Sequence, residues 1–462
     1  MLRSKVLTRT LKIVVALLVL AAVFLWGFMT SEEIVPPYGI VMPVYSRAKS
    51  NVTIRSWMRP VENLLRGPAR QEEGLWREAP IEGAPEELTP EQKAELADLM
   101  ALGYSTGVRT DEGQSGGIMR HDPELAHDGL NLLVSGHATE AVLMDMKGRG
   151  LHKWSMPFER AFPEIDQPQS FKGTQYWRRV HLYDNGDLLA IFENNGLIKL
   201  DKESRLLWAW PERAHHDLDV TEDGTIYVLS GEIKFLPRIS EDHPVIEEFI
   251  VALDPDGREL RKVSLLEAFE RSSYAPFLDG MPPRGGDIFH TNTLEIFDGA
   301  HAERSPIFKR GNALVSMRGL DLIAIVDMDL GEVVWALAGR FLKQHQPTLL
   351  PDGNMLLFDN VGAGEFSRIL EFDPLSQELV WTWEGNEENG FYSRMMGSVQ
   401  RLPNGNTLVS ETDNGRALEV TPDGTVVWEY RNPRRVGEDA TLIAVLPEVI
   451  RLDERPEWLE SG

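Results

Sequence analysis

The sequence predicts an all-β chain, a six-bladed β-propeller set behind an N-terminal apolar segment and a short stalk. Three observations predict it. The first is a unit repeated along the chain: alternating residues, an Asx-Gly turn, then a second apolar strand, as in QHQPTLLPDGNMLLFDN from Gln344 and HHDLDVTEDGTIYVLSG from His215. Asn-Gly and Asp-Gly supply the positive φ that tight hairpins require. The second is the spacing, roughly 35–50 residues, which signals an array or a propeller. The third is a fourth strand that tends to end in Trp: Trp154, Trp208 and Trp210, Trp335, Trp381 and Trp383, and Trp428. Large aromatics at matched positions predict packing between neighbouring blades.

Units begin near 129, 178, 215, 287, 344 and 397. The first lacks an opening strand, and the C-terminal TLIAVLPEVIRLD has no unit of its own. Letting that segment supply the missing strand closes the ring and removes the exposed edges. The propeller therefore spans 129–462.

Ahead of it, Ile13–Met29 is free of charge, with Arg3, Lys5, Arg9 and Lys12 before it and Glu32 and Glu33 after. Its length meets the lower limit for a spanning helix, and the basic flank stays cytoplasmic. The expectation for 1–30 is an inner-membrane anchor that leaves the propeller in the periplasm; a cleaved signal peptide is the rival. Residues 31–128 read as a stalk with one short helix, capped by Thr89 with Pro90 and Gln92 behind it and ended by Gly103.

The net charge of −25, from 47 basic and 72 acidic residues, argues against nucleic acid as a partner. An anion site would need its own local cations. The chain has no Cys, so disulfides, thiolate metal sites and Cys nucleophiles are excluded.

The first strand of each propeller blade lines the central channel. Three of these strands carry His near the start: His216 beside His215, His290, and His345. His216 and His345 each stand eight residues before the Gly of their turn, at Gly224 and Gly353. His181, five residues before Gly186, fits less well. Arg318, in NALVSMRGLDLIAIVD, reads as a strand cation that needs an anionic partner, either a ligand or a carboxylate such as Asp321. Imidazoles with a guanidinium suit an anion with tetrahedral oxygens. A metal site competes, but a permanent cation nearby disfavours it, and no metal or cofactor is expected.

At these residues the chain resembles the bacterial arylsulfate sulfotransferases, over about 129–430. The match is carried by GLNLLVSGHATEAVLMDMKGRGLHKW, HHDLDVTEDG, DIFHTNT, VSMRGLDLIAIVD and QHQPTLLPDGNMLLFDN. The resemblance implies a six-bladed propeller outside the cytoplasm that uses no nucleotide sulfate donor. It implies that His345 is a nucleophile, transiently sulfated, and that His216, His290 and Arg318 complete the catalytic set. Asn292 and His215 would contact substrate. The expected substrates are aryl sulfates and phenols. A non-catalytic propeller that binds a partner or an anion, and a hydrolase that passes the group to water, are the alternatives.

Overall fold

A computed structural model describes residues 116–459, apart from 167, 235, 240–244, 282–285 and 437–441. The apolar segment and the helix expected from Thr89 lie outside the described residues. Among the described residues no helix is long and apolar enough to cross a membrane.

Six sheets, antiparallel apart from one two-residue parallel pair in blade 3, form the propeller. The innermost strands of blades 2 to 6 are Trp177–Leu182, Ala214–Val220, Thr291–Ile296, His345–Leu349 and Ser398–Arg401. These lie at or within a few residues of the unit starts read from the sequence. Blade 1 is assembled from both ends of the described chain. Glu448–Leu452 is its innermost strand and pairs with Leu130–Val134, with Leu130 opposite Leu452. Gly117–His121 adds a fifth strand to the outer edge of blade 6.

Burial follows the radial order. Second and third strands such as Leu188–Phe192 and Leu322–Asp327 are buried along their whole length, because both faces meet a neighbouring blade. Outer strands such as Leu206–Trp210 and Leu379–Glu384 are largely exposed. A separate hydrophobic cluster fills each interface between adjacent blades, including the one between blades 6 and 1.

Four outer-strand tryptophans also act as latches. Their indole N–H groups donate to turn carbonyls of the next blade: Trp154 to Gly186 at 3.0 Å, Trp208 to Pro255 at 3.1 Å, Trp381 to Pro422 at 2.8 Å and Trp428 to Met146 at 3.1 Å. Nearer the axis, side chains of one inner strand take up free N–H groups of the next. Asp217 and Asp219 accept from Leu294 and Ile296 at 2.9 and 2.7 Å, and Glu295 accepts from Leu349 at 3.0 Å. Each such bond covers a strand edge that would otherwise be open.

Candidate active site

The inner strands of blades 2 to 5 each meet the next strand with a break in register near their start, a bulge that re-aims side chains. Four non-glycine residues here take left-handed backbones: His216 at φ 55, His290 at φ 51, Lys343 at φ 57 and Gln346 at φ 47. Such conformations cost on the order of 1–3 kcal/mol each and cluster at functional sites. They bring the His216 and His290 rings to 4.9 Å, edge to face at 70°.

His345 opens the inner strand of blade 5. Its Nδ1 lies 3.0 Å from the Lys343 carbonyl oxygen and 2.8 Å from Asn360 Oδ1. The orientation of Asn360 follows from its own amide, whose Nδ2 donates to the carbonyls of Ser393 at 2.7 Å and Met396 at 2.9 Å. Both neighbours of His345 Nδ1 are therefore acceptors, so the hydrogen-bond network assigns the proton to Nδ1. Nε2 keeps its lone pair and has no hydrogen-bond partner among the described residues. Burial, then the charge of Arg318, holds the ring well below the usual His range, although the Asn360 bond works the other way. At neutral pH His345 is a neutral imidazole with Nε2 available.

Arg318 lies in the turn after Ala313–Met317, not within a strand as the sequence reading has it. Gly319 makes that turn possible. Its N–H donates to the Phe289 carbonyl at 2.7 Å, and a Cβ would stand 2.7 Å from the same oxygen. The Arg318 N–H donates to the His290 carbonyl at 3.1 Å, so the turn and His290 are fixed together. Asp321 is engaged by Lys343, through its backbone N–H at 2.7 Å and its Nζ at 3.7 Å.

Asn292 and His215 stand one layer back, bonded to protein. Asn292 Nδ2 donates to the Gln344 carbonyl at 2.9 Å and so braces the residue before His345. His215 places Nδ1 3.0 Å from Nδ1 of His216 and Nε2 3.8 Å from Glu248, and burial lowers it to about 4. His181 is away from the cluster, its ring 4.8 Å from that of Tyr183.

Four site residues were not singled out from the sequence. Arg178 is buried, with Nε 3.8 Å from Glu193, and its charge reaches both His216 and His345. A signal for it exists: Arg178 stands eight residues before Gly186, the spacing that marks His216 and His345. Glu193 accepts the backbone N–H of His216 at 3.1 Å and lies 3.3 Å from its Nδ1. Asp287 does the same for His290, accepting the backbone N–H at 2.8 Å with the other oxygen 2.6 Å from Nδ1. Neither carboxylate, nor Asn360, stands at the eight-residue spacing from a turn glycine that marks the other site residues.

The arrangement combines a neutral imidazole with an open Nε2, two guanidinium groups and two further imidazoles held by carboxylates. It can attack, hold and protonate a tetrahedral anionic ester.

A family model described as Arylsulfotransferase (ASST) matches residues 179–433, from the inner strand of blade 2 through blade 6. No curated protein matches the chain. Among solved structures, one of a protein of unknown function from Bacteroides caccae is 12% identical with a TM-score of 0.44, covering 69% of this chain and 99% of that one. A virginiamycin B lyase from Staphylococcus aureus is 9% identical with a TM-score of 0.34, over 56% of this chain and 70% of that one. The propeller domain of Myceliophteria thermophila Cps50 (Swd1) is 12% identical with a TM-score of 0.41, over 75% and 99%.

Proposed function

The chain belongs to the arylsulfotransferase family, and from that premise we propose that it moves a sulfuryl group from an aryl sulfate ester to a phenol through a sulfated His345. One observation carries the reading: the proton on Nδ1 of His345 is held by Lys343 and Asn360, which leaves Nε2 as the attacking lone pair. Nε2 attacks sulfur, the N–S bond forms and the S–O bond to the aryl group breaks. The departing oxygen takes a proton from a neighbouring imidazole. A second phenol then gives up its proton to that imidazole, its oxygen attacks sulfur, and the N–S bond breaks. The ester is the donor, with no nucleotide sulfate donor.

Arg178 and Arg318 stabilise the sulfuryl oxygens as charge builds in the transition state. Phenols ionise near pH 10, so loss of an ordinary phenol needs the proton.

Incubation with an aryl sulfate and no acceptor should release about one phenol per site in a burst. Mass spectrometry at neutral or alkaline pH should then place a sulfuryl group on His345. His345→Asn should lose transfer by roughly 10⁴-fold or more with its melting temperature kept. An adduct on His216 or His290 would overturn the assignment. Phenol released with only inorganic sulfate formed, even with acceptor present, would make the protein a hydrolase.

The charge-free Ile13–Met29 and its basic flank support an inner-membrane anchor with the propeller in the periplasm. A C-terminal reporter active only in the cytoplasm should stay dark, and signal from it would reverse the topology.

A further inference from the structure

We infer that Asp287 is a positioning residue that commits His290, rather than His216, to carrying the proton to and from the phenol oxygen, an inference that rests on the sulfuryl transfer proposed above. Two carboxylate–imidazole pairs stand side by side, Asp287 with His290 and Glu193 with His216, and the two rings are 4.9 Å apart. The pairs differ in how firmly the carboxylate holds its ring.

Asp287 uses both oxygens on one residue. Oδ1 accepts the backbone N–H of His290 at 2.8 Å, and Oδ2 lies 2.6 Å from Nδ1. A carboxylate at this distance accepts a hydrogen bond from Nδ1–H, which leaves Nε2 as the nitrogen that gives and takes a proton. The His290 side chain is 32% exposed, against 16% for His216, so its free nitrogen is the more open to a bound phenol. Asp287 itself is anchored by the short strand Gly286–Asp287, paired in parallel with Val245 and Ile246 of blade 3. His290 thus gains a partner pinned to the neighbouring blade 3.

The other pair is looser and shared. Glu193 Oε1 is 3.3 Å from His216 Nδ1, and the same Nδ1 is 3.0 Å from Nδ1 of His215. Electrostatics separates the pairs further. Burial pushes the Glu193 carboxyl up, and burial, then the charge of His290, holds His216 well below the usual range. Burial also opposes ionisation of Asp287, but the hydrogen bond and charge of His290 prevail, and its carboxyl sits below the usual range. Asp287 therefore stays ionised beside His290, while the Glu193–His216 pair is driven toward neutrality. The charged and titratable groups facing His290 are Asp287, Glu193, His215, His216 and His345. Asp287 faces Arg213 and Glu248 as well.

In the donor half-reaction, His290 enters as the imidazolium with Nδ1–H on Asp287, gives its Nε2 proton to the ester oxygen and is left neutral. At the same time the S–O bond breaks and the bond from His345 Nε2 to sulfur forms. In the acceptor half-reaction, the same His290 Nε2 takes the phenol proton as the phenol oxygen attacks and the N–S bond breaks.

The test is the burst rate over a series of aryl sulfates whose phenols range from strongly to weakly acidic. A general acid matters most for the weakly acidic phenols, which leave worst. Asp287→Asn should slow the worst leaving groups by roughly 10²-fold or more and the best by less than about tenfold. Asp287→Glu should restore much of the loss, and Asp287→Asn should add little in a His290→Asn background. Uniform slowing across the series would overturn the inference, and so would a steeper dependence in His216→Asn than in His290→Asn. If Asp287→Asn does not fold, that last pair of variants decides alone. Absence of any burst from the parent protein would instead overturn the transfer reading beneath it.

Discussion

Arg178, His216 and His345 belong to one cluster, and their next neighbours in sequence, Arg179, Asp217 and Gln346, belong to another. In the second cluster the Arg179 guanidinium meets Asp217 at 2.6 Å, Gln346 Oε1 at 2.6 Å and Glu448. It ties blades 1, 2, 3 and 5 together across the channel. Burial works against its charge, yet Asp217 and Glu448 raise its pKa above the ordinary Arg value. Both clusters are buried and polar. The difference is that Arg179 is ringed by protein partners, Asp217, Gln346 and Glu448, whereas Nε2 of His345, His216 and His290 has no hydrogen-bond partner among the described residues. Buried polarity marks structure when protein groups surround it and chemistry when a ring nitrogen is left facing space.

The sharpest way to break that contrast is to remove the two neighbouring arginines one at a time. Arg179→Met leaves Asp217 and Glu448 buried without their cation, which should cost about 3–5 kcal/mol of stability. Arg178→Met should leave the melting temperature nearly unchanged and slow transfer by roughly 10²–10³-fold, as for a lost transition-state contact. Melting and turnover on the same samples distinguish the two. If Arg178→Met melts as low as Arg179→Met, the division between the clusters fails.

Asn360 offers a smaller effect. Asn360→Asp puts a carboxylate against Nδ1 of His345. An opposite charge favours the protonated ring, so its pKa should rise from its present low position. The rate should then fall on the acid side, with up to about a tenfold loss near pH 6 and less near pH 8. A parallel loss at all pH values would mean that Asn360 only packs.

The smallest effects concern stability against pH. His181 and His215 are both lowered to about 4 from 6.5, in each case chiefly by burial. Between those values the unfolded chain binds more protons, so stability rises with pH from about 4 and is fully present above 6.5. Glu295 is raised to about 8 from 4.5 by burial, so its contribution is full below 4.5 and is lost as pH rises through 8. The three together put the stability maximum near pH 6.5. Glu295→Gln keeps an acceptor for Leu349 and removes the ionisation. It should raise the melting temperature by a few degrees at about pH 8.5 and hardly at all at pH 5. An equal rise at both would assign the effect to packing.

The blades were legible because their signals are local. Alternation, Asx-Gly turns and a terminal Trp can be read in one stretch of sequence, and the turn glycine served as a ruler that located His216 and His345. The same ruler lands on Arg178, which a search restricted to histidine passes over. Asn360, Glu193 and Asp287 could not be found this way. Each matters through its bonding to one histidine of the site. That bonding depends on bulges and left-handed backbones at non-glycine positions, which leave no compositional trace. Arg318 was legible as a cation but not in its place, because the turn around it depends on the close approach of Gly319 to Phe289. The apolar segment and residues 31–115 of the stalk lie outside the described residues, while the stalk's described end, Gly117–His121, joins the edge of blade 6.

The joining of blade 1 sets an order of events for a growing chain. Its second strand, Leu130–Val134, is buried along its whole length, and Asn131 takes its bond from an Arg451 that lies 320 residues further on. At the 5–20 residues per second of synthesis, that partner arrives on the order of tens of seconds later. Five blades can stack in sequence as they emerge, but the seam must wait for the last strand. Until then an apolar strand keeps a free hydrogen-bonding edge, open to any other extended chain. The half-made protein is therefore the aggregation-prone species. Its yield in a cell should depend on how well that edge is shielded during synthesis more than on the stability of the finished ring.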